Sequence, residues 1–330
     1  MKLRLYRTTF IAMGCPCETA VYAKSVDAAQ PGFAIVEREV LRLDRKYSHY
    51  RPDSLLSQLT VHAARPGGCA VDPETAAILD YANHQYLASN GLFDITARSL
   101  TRLWDRARSL PGKGAIKSAL KRTGWDKAKW GGERLELPPG FELDLGGIVK
   151  EYAADRAALL LRRAGYIHGF VDLGGDFHVI GPHPNGTPWE IGIRNPLDRD
   201  KAAAVVDVYA GGLASSGDYE RFSEIDGTRY SHFINPQTGW ALRADPKRSA
   251  VSVVAPSCLL GGSVATLAML LRGNLGKQLL IESGFKWLEL GHTNVYQSLG
   301  LKNSVIERPR AKQHKNATSH KRHGLYLDQL

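Results

Sequence analysis

Apolar and polar residues alternate near the N-terminus and again through the middle of the chain, while other stretches repeat at helical spacing. Positions 3–12 and 18–23 read as two strands joined by a turn at 13–17. Phe33, Val36, Val40 and Leu43 fall three or four apart, which predicts a helix over 31–47. A short helix is expected over 54–59. Another is expected over Pro73–Ala88, with Asp72 as its cap and Asn90-Gly91 as its stop. The segments 135–137 and 141–145 look strand-like. Periodicity then predicts a helix over 149–164, ended by Gly165. Strands are expected at 170–173, 177–181, 189–193 and 204–209, with 182–188 as the hairpin loop between the second and third. A hairpin turning at Asp226-Gly227, strands at 230–235 and 249–255, and a helix carrying Thr266 complete the pattern. Hairpin strands interleaved with helices predict an α+β fold, mostly antiparallel sheet with packed helices, rather than a doubly wound parallel sheet.

One tetrapeptide, Asp-Leu-Gly-Gly, occurs at 144–147 and again at 172–175, each time after a strand-like run. Paired glycines let the backbone turn or come close to another group. In the first copy they lead into a helix N-terminus, a place that favours anions such as phosphate, and Lys150 adds a positive charge in the first turn. A tight strand–helix connection capped by Asp144 is the alternative reading. The dinucleotide fingerprint G-x-G-x-x-G is absent from this stretch.

Composition narrows the class. With 330 residues, 43% hydrophobic and 23% charged, the chain has a globular composition. One domain over 1–300 and a basic, disordered tail over 301–330 are expected. No apolar run reaches the ~20 residues of a membrane span, and no export signal is recognised, so a cytoplasmic protein without an integral membrane segment is expected. Cys15, Cys17, Cys69 and Cys258 are too few and scattered for a disulfide framework and read as reduced thiols. The net charge of +10 is concentrated: 102–134 holds ten Lys/Arg against three Asp/Glu, and 302–323 seven against one. Basic segments raise a nucleic-acid-binding alternative, but no recognised motif accompanies them, and no nucleic-acid partner is expected.

Polar clusters at strand ends and glycine-rich turns supply candidate chemistry: Tyr50, Asp94, Asp144 with Lys150, the segment 215–218, and His232. In order and spacing they sit within MGCPCETAVY (13–22), YSHYRPDSLLSQL (47–59), GLFDIT (91–96), LDLGGIVKEYAADRA (143–157), FVDLGGDFHVIG (170–181), WEIGIRNP (189–196), LASSGDYERF (213–222), YSHFINPQTGW (230–240) and VVAPSCLLGGSVATLAMLL (253–271). Together these segments resemble the ApbE family of FAD:protein FMN transferases.

The resemblance implies an α+β fold with a flavin cleft, FAD as donor, Mg²⁺, and an acceptor protein that receives FMN on a threonine through a phosphoester. By position it implies flavin contacts at Met13, Tyr50, Leu92, Phe93, Asp94, Asp144, Lys150 and Ile234. His232, Asp218 and Lys150 are the candidate catalytic groups. The carbonyl of Gly147 and the hydroxyl of Thr266 are the candidate metal ligands. The family pattern has an acidic metal ligand four residues before that threonine, where this chain has Gly262, and LLGGSVAT holds no carboxylate. The implied alternatives are therefore a transferase or a divergent FAD-binding homologue: a flavin carrier, a regulatory module or an inactive paralogue. On sequence alone, weak Mg²⁺ affinity and low or absent transfer with FAD still bound are expected, with an aspartate introduced at 262 raising Mg²⁺-dependent activity.

Overall fold

The computed structural model describes residues 2–105, 107–219, 221–291, 295–297 and 325–326. The basic tail expected at 301–330 lies outside the described residues, except for Leu325–Tyr326, which pairs in parallel with Trp189–Asn195. The helices are α1 (Val26–Tyr47), α2 (Leu55–Ala63), α3 (Pro73–Ala88), α4 (Arg98–Trp104), α5 (Lys113–Leu120), α6 (Val149–Arg163), α7 (Cys258–Leu271) and α8 (Gly273–Glu282). Among the described residues no helix is long and apolar enough to cross a membrane.

Eight strands form the central sheet in the spatial order Arg4–Ala12, Cys15–Ala23, Gly169–Leu173, Asp176–Gly181, Gly211–Gly217, Ala250–Ala255, Lys286–Leu290 and Val295–Gln297. Every neighbouring pair is antiparallel. The fold is α+β, as the hairpin pattern predicts. Alternate side chains along each strand feed two cores, as the period of two requires. Val21, Val171, Leu173 and Ala214 face a core shared with Val36, Val40 and Leu43 of α1, Ile78 and Leu79 of α3, and the alanine-rich face of α6. Ala20, Phe170, Phe177 and Leu213 face the other way, onto Trp189, Ile191, Val206 and Val208 of a separate hairpin.

Local rules succeed where the signal is local. Asp72 accepts from the Thr75 N–H at 3.2 Å and opens α3 at Pro73. Asn90 and Gly91, with φ of 51° and 81°, close it. Asp226 and Gly227, with φ of 49° and 71°, make the predicted hairpin turn.

Four expectations are corrected. The first helix begins at Val26, not 31, because Ser25 caps it by accepting from Ala28 N–H at 3.2 Å. Pro31 therefore sits inside the helix, where its missing N–H removes one early bond rather than ending the element. The first turn is only Met13-Gly14, with φ of 52° and 71°, so Cys15 and Cys17 belong to the second strand. Residues 141–145 form no ladder. Phe141, Leu143 and Leu145 are buried in alternation, but the Asp144 N–H bonds the Ile95 carbonyl at 2.8 Å and no strand pairs with the segment. The loop 182–188 does not close a hairpin either, because Trp189–Asn195 leaves the central sheet to pair with Asp198–Val208.

The strand Gly211–Gly217 backs directly onto the start of α7. A Cβ at Gly212 would lie 2.1 Å from the Cys258 nitrogen, so two stretches of backbone would have to separate. Gly212→Ala is expected to destabilise the protein by about 1–3 kcal/mol through overpacking. Urea denaturation checks this, and an unchanged midpoint would contradict the contact.

Candidate functional site

The first Asp-Leu-Gly-Gly delivers the chain into α6, and the second joins the strands Gly169–Leu173 and Asp176–Gly181 in a two-residue turn at Gly174 and Gly175. The two copies converge. Lys150, in the first turn of α6, forms an ion pair with Asp176, the residue just past the second copy. Asp176 is 2% exposed, and its other oxygen accepts from the Ser215 N–H at 3.2 Å. Burial alone would push Lys150 toward its neutral form. The charges of Asp176 and Glu151 outweigh that and hold it protonated, above the usual lysine range. A fixed ammonium thus stands at a helix N-terminus beside glycine-rich backbone, an arrangement suited to a phosphate group.

Asp144 precedes the glycines. It accepts from the Gly146 N–H at 2.9 Å and lies 3.2 Å from Nδ1 of His49. Burial works to raise its pKa, but His49 and Gly146 hold it below the usual carboxylate range. The His49 ring packs tilted against that of Tyr50, with centroids 4.0 Å apart. Arg98 lies 5.5 Å over the other ring, and Tyr50 is 75% exposed, so it presents an aromatic face to solvent. Asp94 is half-buried. One oxygen accepts from the Thr96 N–H at 2.8 Å and hydroxyl at 2.6 Å, the other from the Trp125 N–H at 3.3 Å. Burial raises its pKa against those donors. Its carboxylate organises the turn that follows Leu92 and Phe93, and the Phe93 ring rests against Gly147. Met13 sits half-buried in the left-handed turn between the first two strands.

His232 lies on the strand Thr228–Ile234, its Nδ1 3.2 Å from the Arg221 carbonyl oxygen. That contact requires the proton on Nδ1 and leaves Nε2 as the basic nitrogen. The residue is exposed to solvent. Protein packed around it, and then the charges of Arg221 and Lys150, push its pKa down to about 4, so the imidazole is neutral at pH 7.

Two candidate residues stand apart. Asp218 is buried and its Oδ2 accepts from the Asp245 N–H at 3.3 Å, which ties it to the 245–249 loop. Ile234 buries its side chain with Leu100 and Trp104, so only its backbone faces elsewhere.

On α7, Ser257 caps the helix and the Thr266 hydroxyl lies 2.9 Å from the hydroxyl of Ser216. What surrounds these groups carries no local signal in the sequence. Asp155 of α6 accepts from the N–H groups of Cys258 and Leu259 at 2.7 and 3.0 Å, and from Nδ1 of His178 at 2.6 Å. One turn earlier, Glu151 projects against Gly262, where a Cβ would meet its Cγ at 2.7 Å and its Oε1 at 2.9 Å. A carboxylate therefore does stand beside the Thr266 helix, supplied by α6 rather than α7. Glu151, Asp155, Asp176 and His49 fall inside segments that carry the family resemblance, but nothing in their spacing brings them together. Each reads there as an ordinary polar or charged residue on a helix, loop or strand end.

The family model described as "ApbE family" matches residues 13–286. The chain is 31% identical to the "FAD:protein FMN transferase" of Treponema pallidum over 82% of this chain and 80% of the relative. It is also 31% identical to that of Klebsiella pneumoniae, over 73% and 71%. In structure it is similar to the ApbE protein of Thermotoga maritima, with a TM-score of 0.79 at 26% identity, covering 90% of this chain and 97% of that one. The Pseudomonas stutzeri flavinyl transferase ApbE gives 0.78 at 26% identity, covering 91% and 96%. These matches, on a fold of this topology, define a flavin transferase architecture. The chain belongs to the ApbE family.

Proposed function

We propose that the protein transfers FMN from FAD to the hydroxyl of a threonine on an acceptor protein. The observation that carries this reading is the Lys150–Asp176 pair at the first turn of α6, fixed between two Asp-Leu-Gly-Gly turns. It stands in a chain that matches a named FAD:protein FMN transferase across four-fifths of both lengths. In the reaction the threonine oxygen bonds to the phosphorus of the FMN half. The pyrophosphate bridge breaks, AMP leaves with the bridging oxygen, and the hydroxyl proton passes to a base. His232 is the residue suited to take that proton, being neutral and basic at Nε2. Lys150, charged at pH 7, lies against the pyrophosphate and offsets its charge. Tyr50 offers its exposed ring to the flavin. Met13, Leu92, Phe93 and the backbone of Ile234 line the cleft, while Asp94 and Asp144 hold its loops. Asp218 shapes the neighbouring loop.

Mg²⁺ fits the donors present. The Thr266 hydroxyl and the Gly147 carbonyl are hard oxygen ligands, and the bonds that open α6, from Val149 N–H to Leu145 and from Tyr152 N–H to Ile148, leave the Gly147 carbonyl out. When bound, the ion would neutralise charge on the phosphate oxygens. Incubation with FAD, Mg²⁺ and an acceptor carrying a flavinylatable threonine is expected to give a fluorescent acceptor band on a denaturing gel. FAD binding without such a band would instead favour a flavin carrier.

A further inference from the structure

The strongest unexplained feature is the side chain of Glu151. It is 7% exposed, and its Oε2 is fully buried without a hydrogen-bond partner. Leaving a carboxylate oxygen buried and unpaired is costly unless something positive meets it. Lys150 is committed to Asp176. Across the helix interface, Glu151 meets α7. Gly262 has no side chain, and the space its Cβ would enter is filled by Cγ and Oε1 of Glu151. Gly262 stands one turn before Thr266 on α7, so the Thr266 hydroxyl lies on the helix face that Glu151 meets, and Gly147 precedes α6 on the chain that delivers Glu151.

We infer that Glu151 of α6 is the anionic ligand of a divalent cation, in place of a carboxylate at Gly262, and that the two positions have exchanged roles across the α6–α7 interface. The inference rests on the transferase reading for the identity of the metal, but its geometry is that of this chain alone. Magnesium is usually held by one or two carboxylates with waters and ligand phosphates completing the shell. One glutamate with neutral oxygens suits that, and it accounts for the lack, among the described residues, of any group of three or more His, Cys, Asp or Glu able to hold a metal.

The exchange reverses what the sequence alone leads one to expect of position 262. An aspartate added there would collide with Glu151 instead of completing a site. Glu151→Gln keeps the shape and removes the charge. Mn²⁺ is the probe, titrated by electron paramagnetic resonance with and without saturating FAD, with flavin fluorescence reporting FAD binding and circular dichroism reporting folding. Glu151→Gln is expected to weaken Mn²⁺ binding by about tenfold or more. Gly262→Asp alone is expected to lower stability without tightening Mn²⁺ binding. The double variant Glu151→Gly with Gly262→Asp is expected to bind Mn²⁺ more tightly than Glu151→Gln. A folded Glu151→Gln with unchanged Mn²⁺ affinity overturns the inference, as does a folded double variant that binds no better than Glu151→Gln. The transferase reading falls separately, if the unmodified protein fails to bind FAD.

Discussion

Lys150→Met is expected to abolish transfer and to destabilise the protein together, and the two losses should separate in a second variant. Asp176 is buried at 2% exposure with one oxygen committed to the Ser215 N–H, so removing the ammonium leaves an uncompensated carboxylate. Breaking a buried pair from one side costs about 3–5 kcal/mol. Adding Asp176→Asn to Lys150→Met removes the orphaned charge and retains an acceptor for the Ser215 N–H. The double variant should recover most of the stability. It should not recover transfer, which ought to stay down by about a hundredfold or more if Lys150 faces the pyrophosphate. Urea denaturation and the in-gel fluorescence assay read the two quantities independently. Recovery of transfer in the double variant would reduce Lys150 to a structural ion pair and move the phosphate-binding role elsewhere.

What the sequence disclosed and what it concealed follow from the range of each signal. The cap at Asp72, the stop at Asn90-Gly91, the turn at Asp226-Gly227 and the α6 boundary at Gly165 depend on a few adjacent residues and on backbone dihedrals that only some residues adopt. They were legible. The repeated Asp-Leu-Gly-Gly marked both turns that flank Lys150, but not Asp176 as its partner, since that pairing depends on how α6 lies across the sheet. The segment 141–145 carries an alternating pattern that packing satisfies without a ladder, so periodicity named a strand where there is an extended segment. Gly262 is the sharpest case. Within α7 it reads as a missing acid, and within α6 Glu151 reads as one more charge on a polar helix. Only the docking of the two helices shows the side chain of one in the space left by the other.

That docking depends on Asp155, which makes Asp155→Ala the most informative change away from the proposed ligands. Its carboxylate accepts from Cys258 and Leu259 at the start of α7, while Ser257 accepts from Leu260, so three of the four N–H groups that a helix leaves unpaired are satisfied by two side chains. The Cys258 N–H also lies where the Gly212 backbone approaches most closely, which leaves little room for a replacement water. Loss of the charged acceptor is therefore expected to cost about 2–4 kcal/mol, more than an ordinary exposed cap. Asp155→Asn, which keeps one acceptor oxygen but not the charge, should fall between the two. Because Glu151 lies one turn away on the same helix, a loosened α6–α7 contact should also weaken Mn²⁺ binding while leaving the Asp144–His49 side of the cleft, and hence flavin fluorescence on FAD addition, largely intact. Urea denaturation of Asp155→Ala beside a Mn²⁺ titration tests both halves. A stability loss below about 1 kcal/mol would show that water caps α7 as well as the carboxylate does. Equal losses of FAD and Mn²⁺ affinity would show that Asp155 supports the cleft as a whole rather than the interface between these two helices.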